Sequence, residues 1–352
     1  MSAERKKGSD ESVDLVSLAE IVERFAGKKI VLFGDFVADE FQFGDISRVS
    51  REAPVLILRH RQTRIVPGGG ANAANNLAAL GAKVLPVTVV GYDQAGDSLA
   101  GHFRGKGIDT SGVIRVKGWN TPTKTRFLAG WAHTVAQQVL RVDREPGCAP
   151  PESALVKGAA KLQKKLRTAD GLAVSDYGFG VASPDLIRRA IRAAGRKIPV
   201  TLDARYRLES YASCGISAAT PNEAELEALH HTTIGRNIGE LEARGLATLK
   251  KMALQSLLVT RGKDGMTLFE RGRKNATHIP VHGSDQAVDV TGAGDTVLAA
   301  YTLALACAAK PFDAAHIANI AGGLVVMKRG TAVVTRGELL AAIRGEVSGG
   351  VA

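Results

Sequence analysis

Short apolar runs alternate with helical segments along most of this sequence, and no other feature constrains the fold as strongly. Residues 171–175 and 256–260 have the length of buried strands, while residues 152–166 and 238–252 repeat apolar side chains at helical spacing. A helix between two strands returns the chain to the starting edge of the sheet, so such strands pair in parallel. We therefore expect an α/β fold with a doubly wound, mainly parallel sheet flanked by helices.

Two stretches interrupt this alternation. Residues 41–66 and 113–143 contain short segments of β type without helical periodicity. We predict that they form a small inserted β-sheet that acts as a lid. The predicted organisation is a polar tail with a short helix at 1–27, one α/β domain including the lid at 28–346, and a second tail at 347–352.

The charge balance favours an anionic partner. The chain carries 46 Lys and Arg residues against 35 Asp and Glu residues, a formal net charge of +11. Such an excess suits a polyanion or a small anionic substrate, and the charge alone does not choose between them. The basic run at 188–197 contains no aromatic residues, which stacking on nucleic-acid bases requires. We therefore expect a small anionic substrate and no nucleic-acid partner.

The cysteines and the apolar segments indicate the cellular setting. Cys148, Cys214 and Cys307 are odd in number and far apart, so neither a disulfide framework nor a zinc site is indicated. The longest uncharged apolar stretch, 297–309, is shorter than the roughly 20 residues of a membrane span. The polar N-terminus lacks the apolar core of a secretory signal. We expect a cytoplasmic protein with no membrane partner.

The segment DVTGAGDT (289–296) runs directly into an apolar helix. The N–H groups of Gly292, Ala293 and Gly294 would lie at the helix N-terminus, where they can hold a transferring phosphoryl group and stabilise its charge. Asp295 can accept a proton from an attacking hydroxyl. The alternative is an ordinary turn in which Asp295 caps the helix.

A second glycine-rich turn, PGGGANAANNL (67–77), also runs into a helix. It fits a dinucleotide fingerprint only weakly, because a proline precedes the glycines where a strand should enter the turn. The alternatives are a backbone platform for a polyol, with Asn72 as a hydrogen-bond partner, and a plain strand–helix turn. The sequence contains no P-loop motif, so any use of ATP would not follow the P-loop pattern.

Charged side chains accompany the predicted strands. Asp35 and Asp39 follow the first strand, where open α/β sheets bind ligands, and their carboxylates can accept hydrogen bonds from sugar hydroxyls. A solvated strand end is the alternative. Lys124 and Arg126 would project from one face of a lid strand, either toward an anion or toward solvent.

Asn222 and Glu225 are three residues apart at the start of a predicted helix. They can form a capping box, in which each side chain binds the other residue's backbone N–H. They can also place a Mg²⁺ ion or a water molecule beside phosphates. The pair by itself favours the capping box.

Together these motifs resemble the ribokinase-like (PfkB) sugar kinase family over about residues 28–346. The early PGGGANAANNLAALGA, the N-x-x-E motif at Asn222 and Glu225, and the late DVTGAGDTVLAAYT occur in that family's order. Within the family, similarity to the D-glycero-D-manno-heptose 7-phosphate kinases rests on GDFVADEFQFGDISRVSREAPV, TPTKTR, QQVLRVD, SDYGFG and IANIAGGLVVMKRGTAVVT. Such enzymes transfer the γ-phosphate of ATP to the C1 hydroxyl of the sugar.

The resemblance implies ATP and Mg²⁺ as cofactors, and it leaves a monovalent cation open. It makes Asp295 the catalytic base and the N–H groups of Gly292, Ala293 and Gly294 the anion hole. The implied sugar-binding positions are Asp35, Asp39, Gly69, Gly70, Asn72 and, from the lid, Lys124, Arg126 and Gln138. The implied nucleotide-binding positions are Asn222, Thr260, Gly262, Gly265 and Asn319, with Glu225 reaching Mg²⁺ through water. Lid strands of such kinases commonly build a homodimer interface, which we also expect here.

The sequence departs from the heptose kinases at two places. The lysine that usually follows the SDY segment is Phe179, and the usual Asp-Pro-Lys is Asp203-Ala204-Arg205. Arg205 or Arg207 is a candidate to replace the missing cations, although arginine and lysine bind anions differently. The alternatives are a kinase for another sugar or a nucleoside, and a non-catalytic sugar or nucleotide sensor on the same fold.

Overall fold

Strands and helices alternate through the three described ranges of the chain. The computed structural model describes residues 13–131, 136–283 and 287–345. The polar residues 1–12 and the predicted tail at 347–352 lie outside these ranges.

The helices of the described residues are α1 (Leu15–Glu23), α2 (Gly70–Ala79), α3 (Gln94–Gly105), α4 (Glu152–Leu166), α5 (Pro184–Ala194), α6 (Glu223–His230), α7 (Ile238–Lys251), α8 (Ala293–Ala306), α9 (Pro311–Val326) and α10 (Arg336–Ile343). The strands are β1 (Lys29–Gly34), β2 (Phe36–Val49), β3 (Leu56–Gly69), β4 (Lys83–Gly91), β5 (Val113–Val116), β6 (Thr123–Gly130), β7 (Gln137–Arg144), β8 (Gly171–Asp176), β9 (Val200–Ala204), β10 (Ala218–Ala219), β11 (Ser256–Thr260), β12 (Met266–Glu270) and β13 (Thr277–Ile279). None of these helices is long and apolar enough to span a bilayer.

Nine strands form one large sheet in the order β13-β12-β11-β10-β9-β8-β1-β4-β5. The neighbours from β11 to β5 pair in parallel, while β12 and β13 add an antiparallel edge. Helices cover both faces of this sheet. The apolar side chains of α1, α2, α8 and α9 pack into one buried cluster, and those of α4, α5 and α7 pack into another. The predicted α/β class and doubly wound sheet are confirmed.

The other four strands form a separate sheet in the order β3-β2-β6-β7, and we call this sheet the lid. Its boundaries differ from the predicted segments. The first segment runs from Phe36 to Gly69 rather than over 41–66, because the chain passes from β1 into β2 through Asp35 alone. The second begins at Thr123, because β5 pairs with β4 in the large sheet. Residues 132–135 of the predicted lid lie outside the described ranges.

Strands β1 and β8 approach each other closely at Gly34. This residue has φ +147°, and a Cβ built on it would lie 1.9 Å from the backbone oxygen of Ser175. The next N–H group, of Asp35, donates to that same oxygen at 2.9 Å. The absence of a side chain at Gly34 therefore brings Asp35 beside the loop that follows β8.

We expect Gly34→Ala to lower the free energy of unfolding by roughly 3 kcal/mol, because the new methyl group clashes with backbone and the positive φ becomes strained. Urea denaturation midpoints measure the effect. Gly101→Ala in α3 is the matched control, since a Cβ there meets nothing within 4 Å. Equal midpoints for the two variants would contradict the prediction.

Candidate active site

The carboxylate of Asp295, in the first turn of α8, is held on both of its oxygens. Asn72 Nδ2 donates to Oδ2 at 2.8 Å, and the hydroxyl of Tyr177 donates to Oδ1 at 3.2 Å. Burial raises the pKa of Asp295 to about 7, and the two hydrogen bonds oppose this rise. A carboxyl group whose pKa lies near neutrality is suited to accept a proton from a hydroxyl.

Asn72 is oriented in turn by a buried network between α2 and α8. Nδ2 of Asn76 donates to the backbone oxygen of Asn72 at 3.0 Å and to its Oδ1 at 3.3 Å. The hydroxyl of Thr296 donates to Oδ1 of Asn76 at 3.0 Å. These bonds direct the amide nitrogen of Asn72 toward Asp295. Sugar binding by Asn72 stays a prediction, and the observed contact adds a role in orienting the carboxylate.

The glycine-rich turn before α8 is closely packed against α2. Gly292 has φ +80°, and a Cβ there would lie 2.4 Å from Nδ2 of Asn72, so only glycine fits without rearrangement. The N–H of Ala293 donates within the turn to Val290 O at 3.2 Å. Gly292 and Gly294 line a cavity together with Asp295. The geometry therefore suits the predicted anion hole at these two glycines, whereas the Ala293 N–H is already engaged.

Asp35 contacts backbone rather than open space. Its Oδ2 accepts the N–H groups of Tyr177 and Phe179 at 2.9 and 3.0 Å, and its Oδ1 accepts that of Val181 at 3.0 Å. The side chain is buried, with the residue 1% exposed. Burial and the nearby Asp176 raise the pKa of Asp35 to about 6, against the effect of the three N–H donors. Asp35 therefore holds the loop after β8, and its contact with the sugar stays a prediction.

Asp39 and two lid cations meet where the lid joins the large domain. Arg126 Nη1 lies 2.6 Å from Oδ1 of Asp39, and both side chains are largely buried. The Lys124 ammonium lies 5.1 Å from the centroid of the Tyr177 ring. Burial lowers the pKa of Lys124, and the nearby Arg205 lowers it further. Because Arg126 is paired with Asp39, Lys124 is the member of this group whose charge faces Tyr177.

Gly69 and Gly70 allow close packing around these side chains. A Cβ on Gly69, whose φ is +53°, would lie 3.0 Å from the Tyr177 ring. A Cβ on Gly70 would lie 2.8 Å from the backbone oxygen of Asp35. Both glycines therefore lie beside the site, and the absence of their side chains leaves space for Tyr177 and for the backbone of Asp35. Sugar binding at Gly69 and Gly70 stays a prediction.

A cavity of about 470 Å³ lies between the lid and the loop after β8. We call it the basic cavity, because the charged side chains around it include Lys124, Arg141, Arg205 and Arg207, with Asp143 and Glu145. Arg141 is paired with Asp143. Among the described residues, Arg205 and Arg207 form no ion pair within 4.0 Å. Their positive charge is available to an anion that enters the cavity.

Gln138 does not join this group. It is exposed on β7, which forms the outer edge of the lid, and it is absent from the described lining of the basic cavity. The structure does not bring Gln138 beside the lining of the basic cavity, and its sugar contact stays a prediction.

A second cavity, of about 590 Å³, adjoins the basic cavity and contains Asp295 in its wall. We call it the carboxylate cavity, because Asp176, Asp203 and Glu225 also line it. Burial together with Glu225 and Asp295 raises the pKa of Asp203 well above its usual range. No cluster of three or more His, Cys, Asp or Glu side chains in the described residues could hold a metal ion alone. Glu225, the predicted Mg²⁺ position, lies on this wall, where phosphate oxygens and water could complete the coordination of an ion.

Asn222 and Glu225 form the expected capping box at the start of α6. The Asn222 side chain accepts the Glu225 N–H at 2.8 Å, and Oε2 of Glu225 accepts the Asn222 N–H at 2.9 Å. Burial raises the pKa of Glu225. Both residues also line the carboxylate cavity, so the capping box does not remove them from the site.

A third cavity, of about 280 Å³, has mainly apolar walls, and we call it the apolar cavity. The four residues expected to bind ATP outside the N-x-x-E motif meet here, namely Thr260, Gly262, Gly265 and Asn319. The remaining lining includes Val281, Val290, Val297 and Val326. Asn319 is anchored by donating to Pro280 O at 2.8 Å. Such walls suit the flat, apolar faces of a nucleobase.

The sequence motifs indicate no role for Tyr177, and Asp203 stands out only through its altered motif. Tyr177 directly follows β8, and Asp203 lies near the end of β9. Carboxyl ends of parallel strands meet at one edge of an open α/β sheet, where ligands bind. Their position at the carboxyl ends of neighbouring strands is the sequence signal that could have identified Tyr177 and Asp203.

Comparison with known proteins decides the family. A family model described as pfkB family carbohydrate kinase matches residues 28–336. The chain belongs to this family. As a member of it, the protein is a phosphotransferase that uses an alcohol group as acceptor.

Two curated relatives of this pfkB kinase are named bifunctional protein HldE. The chain is 38% identical over 334 residues to that of Caulobacter sp. (strain K31), and 39% identical over 326 residues to that of Pseudomonas aeruginosa (strain PAO1). These matches cover 94% and 92% of this chain but only 66% and 65% of the relatives. The chain thus spans just under two thirds of their length.

Solved structures with the same fold include two kinases. Arabidopsis thaliana ribokinase complexed with ribose and ATP superposes with a TM-score of 0.68 at 20% identity, covering 91% of this chain and 99% of that one. Escherichia coli phosphofructokinase-2 in complex with substrates and products gives 0.72 at 18% identity, covering 90% and 99%. The pfkB kinase therefore has the ribokinase-like fold.

We expect Asp35→Asn to lower the free energy of unfolding by roughly 2 kcal/mol, because an amide has only one oxygen to accept three N–H groups. Urea denaturation measures the change, and hydrogen exchange at residues 177–181 locates it. Asp185→Asn on the exposed start of α5 is the control. Unchanged exchange rates in this loop would show that Asp35 does not hold it.

Proposed function

We propose that this pfkB kinase transfers the γ-phosphate of ATP to the C1 hydroxyl of a heptose 7-phosphate. The observation that carries the proposal is the position of Asp295, a buried carboxylate in the wall of a cavity that continues into the basic cavity and the apolar cavity. The resemblance to heptose 7-phosphate kinases and the identity with the HldE relatives support the choice of sugar.

The three cavities form a continuous path across the site. Tyr177 and Arg205 line both the basic and the carboxylate cavities. Thr260 and Gly294 line both the carboxylate and the apolar cavities. The sugar phosphate would lie in the basic cavity and the nucleobase in the apolar cavity. The transferring phosphoryl group would lie between them in the carboxylate cavity, beside Asp295.

The residues of this chain divide the chemistry among them. Asp295 accepts the proton of the acceptor hydroxyl as that oxygen attacks the γ-phosphorus. The N–H groups of Gly292 and Gly294 stabilise the charge that develops on the transferring group. Glu225 would hold Mg²⁺ through water, and the bound ion would neutralise phosphate charge. Closure of the lid over the sugar excludes water.

The phosphate of the sugar would bind in the basic cavity. Lys124, Arg205 and Arg207 supply its positive charge. Arginine can bind a phosphate through two parallel hydrogen bonds, so Arg205 and Arg207 are suited to replace the cations of the lysines that the heptose kinases usually carry.

The proposal includes a cytoplasmic homodimer formed through the lid. The lid exposes Val49, Leu56, Leu140 and Val142, each more than 40% accessible. Its outer strands β3 and β7 also leave unpaired edges, which a second copy can cover.

We expect Asp295→Asn to reduce kcat by about 10²- to 10⁴-fold, because the amide cannot accept the proton. ATP binding, measured by calorimetry, should persist, since the apolar cavity is untouched. In the wild type, kcat/KM should fall as the pH drops through about 7, the pKa of Asp295, because protonation removes the base. Near-normal turnover by the variant would reject Asp295 as the base.

We expect phosphorylated sugars to be turned over in preference to unphosphorylated sugars and nucleosides in a panel assayed for ATP consumption. Arg207→Gln should raise KM for the sugar phosphate by about tenfold with little change in KM for ATP, because one charge-assisted contact is lost. Arg192→Gln on the exposed face of α5 is the control. Equal turnover of unphosphorylated sugars would favour another sugar kinase, and binding without turnover would favour a sensor.

A further inference from the structure

Tyr177 has a placement that its role in the loop does not require. Its hydroxyl donates to Oδ1 of Asp295 at 3.2 Å, although the two residues are 118 positions apart in the chain. Its backbone N–H donates to Asp35, and its ring packs against Gly69. The hydroxyl is therefore held in place from two sides while it contacts the carboxylate.

We propose that Tyr177 is a positioning residue, whose hydroxyl works with Asn72 to keep the Asp295 carboxylate oriented and ionised for the acceptor hydroxyl. The proposal rests on the role of Asp295 as base under the proposed function. Asn72 occupies Oδ2 and Tyr177 occupies one side of Oδ1. Because each carboxylate oxygen has two lone pairs, Oδ1 can still accept a further hydrogen bond.

The surroundings of Asp295 make such support necessary. Burial and the nearby Asp39 disfavour its ionised form, while Lys124 and the two hydrogen bonds favour it. Asp203 adds a further negative charge in the same cavity when it is ionised. The phenol of Tyr177 remains protonated, because burial and Asp295 raise the pKa of Tyr177 well above its usual range. It therefore stays a hydrogen-bond donor throughout the working pH range.

Tyr177 also connects the base to the sugar side of the site. It lines both the basic and the carboxylate cavities, and the Lys124 ammonium lies over its ring. A cation over the ring face is attracted by the aromatic quadrupole. Tyr177 thus contacts the lid through Lys124 and the proposed base through its hydroxyl. A displaced lid would therefore disturb the hydrogen bond from Tyr177 to Asp295.

The test is Tyr177→Phe, which removes the hydroxyl and keeps the ring. Loss of a donor to the charged form should raise the pKa of Asp295 by about one unit. The acid limb of the kcat/KM profile for the sugar should move to higher pH by the same amount. At pH 7 this kcat/KM should fall about fivefold and recover above about pH 9, with KM for ATP unchanged.

A merely structural role would lower activity equally at every pH, so an acid limb that coincides with that of the wild type would overturn the proposal. Tyr301→Phe is the matched control, because Tyr301 is fully buried and its hydroxyl bonds to Ser256 away from the site, at 2.8 Å. Its pH profile should match the wild type.

A measurement on the ligand-free wild type keeps the proposal testable if the variant unfolds. The ¹³Cζ resonance of Tyr177 should titrate with the ionisation of Asp295, and this titration should vanish in Asp295→Asn. A ¹³Cζ chemical shift of Tyr177 that does not change as Asp295 ionises would overturn the inference. Turnover by Asp295→Asn would instead reject the base assignment, so failure of the proposed function is seen separately.

Discussion

The site depends on one buried carboxylate that is bound by backbone N–H groups. Asp35 accepts three backbone N–H groups from the loop after β8, so it fixes the end of β1 to the end of β8. The close approach at Gly34 makes this contact possible. Tyr177 begins that loop, and its position on Asp295 follows from the anchoring. Loss of the anchor would therefore disturb the proposed base without touching it.

Carboxylates and cations are unevenly distributed across the site. Carboxylates gather around Asp295, where burial raises the pKa values of Asp295 and Asp203, and cations gather around the basic cavity on the other side of Tyr177. Such a division suits a reaction in which one side accepts a proton and the other holds an anion. The net charge of +11 is explained in part by this cavity, and the basic face of α5 is largely solvent-facing.

Much of the fold could be predicted because its signals are local. Apolar spacing predicted α4 and β11 with their observed bounds, since helix and strand periodicity depend on neighbouring residues. The lid boundaries could not be predicted in the same way. A short edge strand such as β5 alternates like a lid strand, and only pairing with β4 assigns it to the large sheet. The position of Gln138 at the outer edge of the lid could not be predicted either, because strand order decides which edge it occupies.

By itself, the sequence determined the α/β class, the glycine-rich turn that opens α8, and Asp295 in its first turn, because each depends on spacing over a few residues. It also supplied the residues that line the apolar cavity, through their resemblance to a family pattern. Only the tertiary structure decided that Asp35 binds the backbone of the loop after β8 and that Tyr177 reaches Asp295. Those contacts join positions 142 and 118 residues apart, and their geometry is set by how strands and helices pack rather than by local sequence.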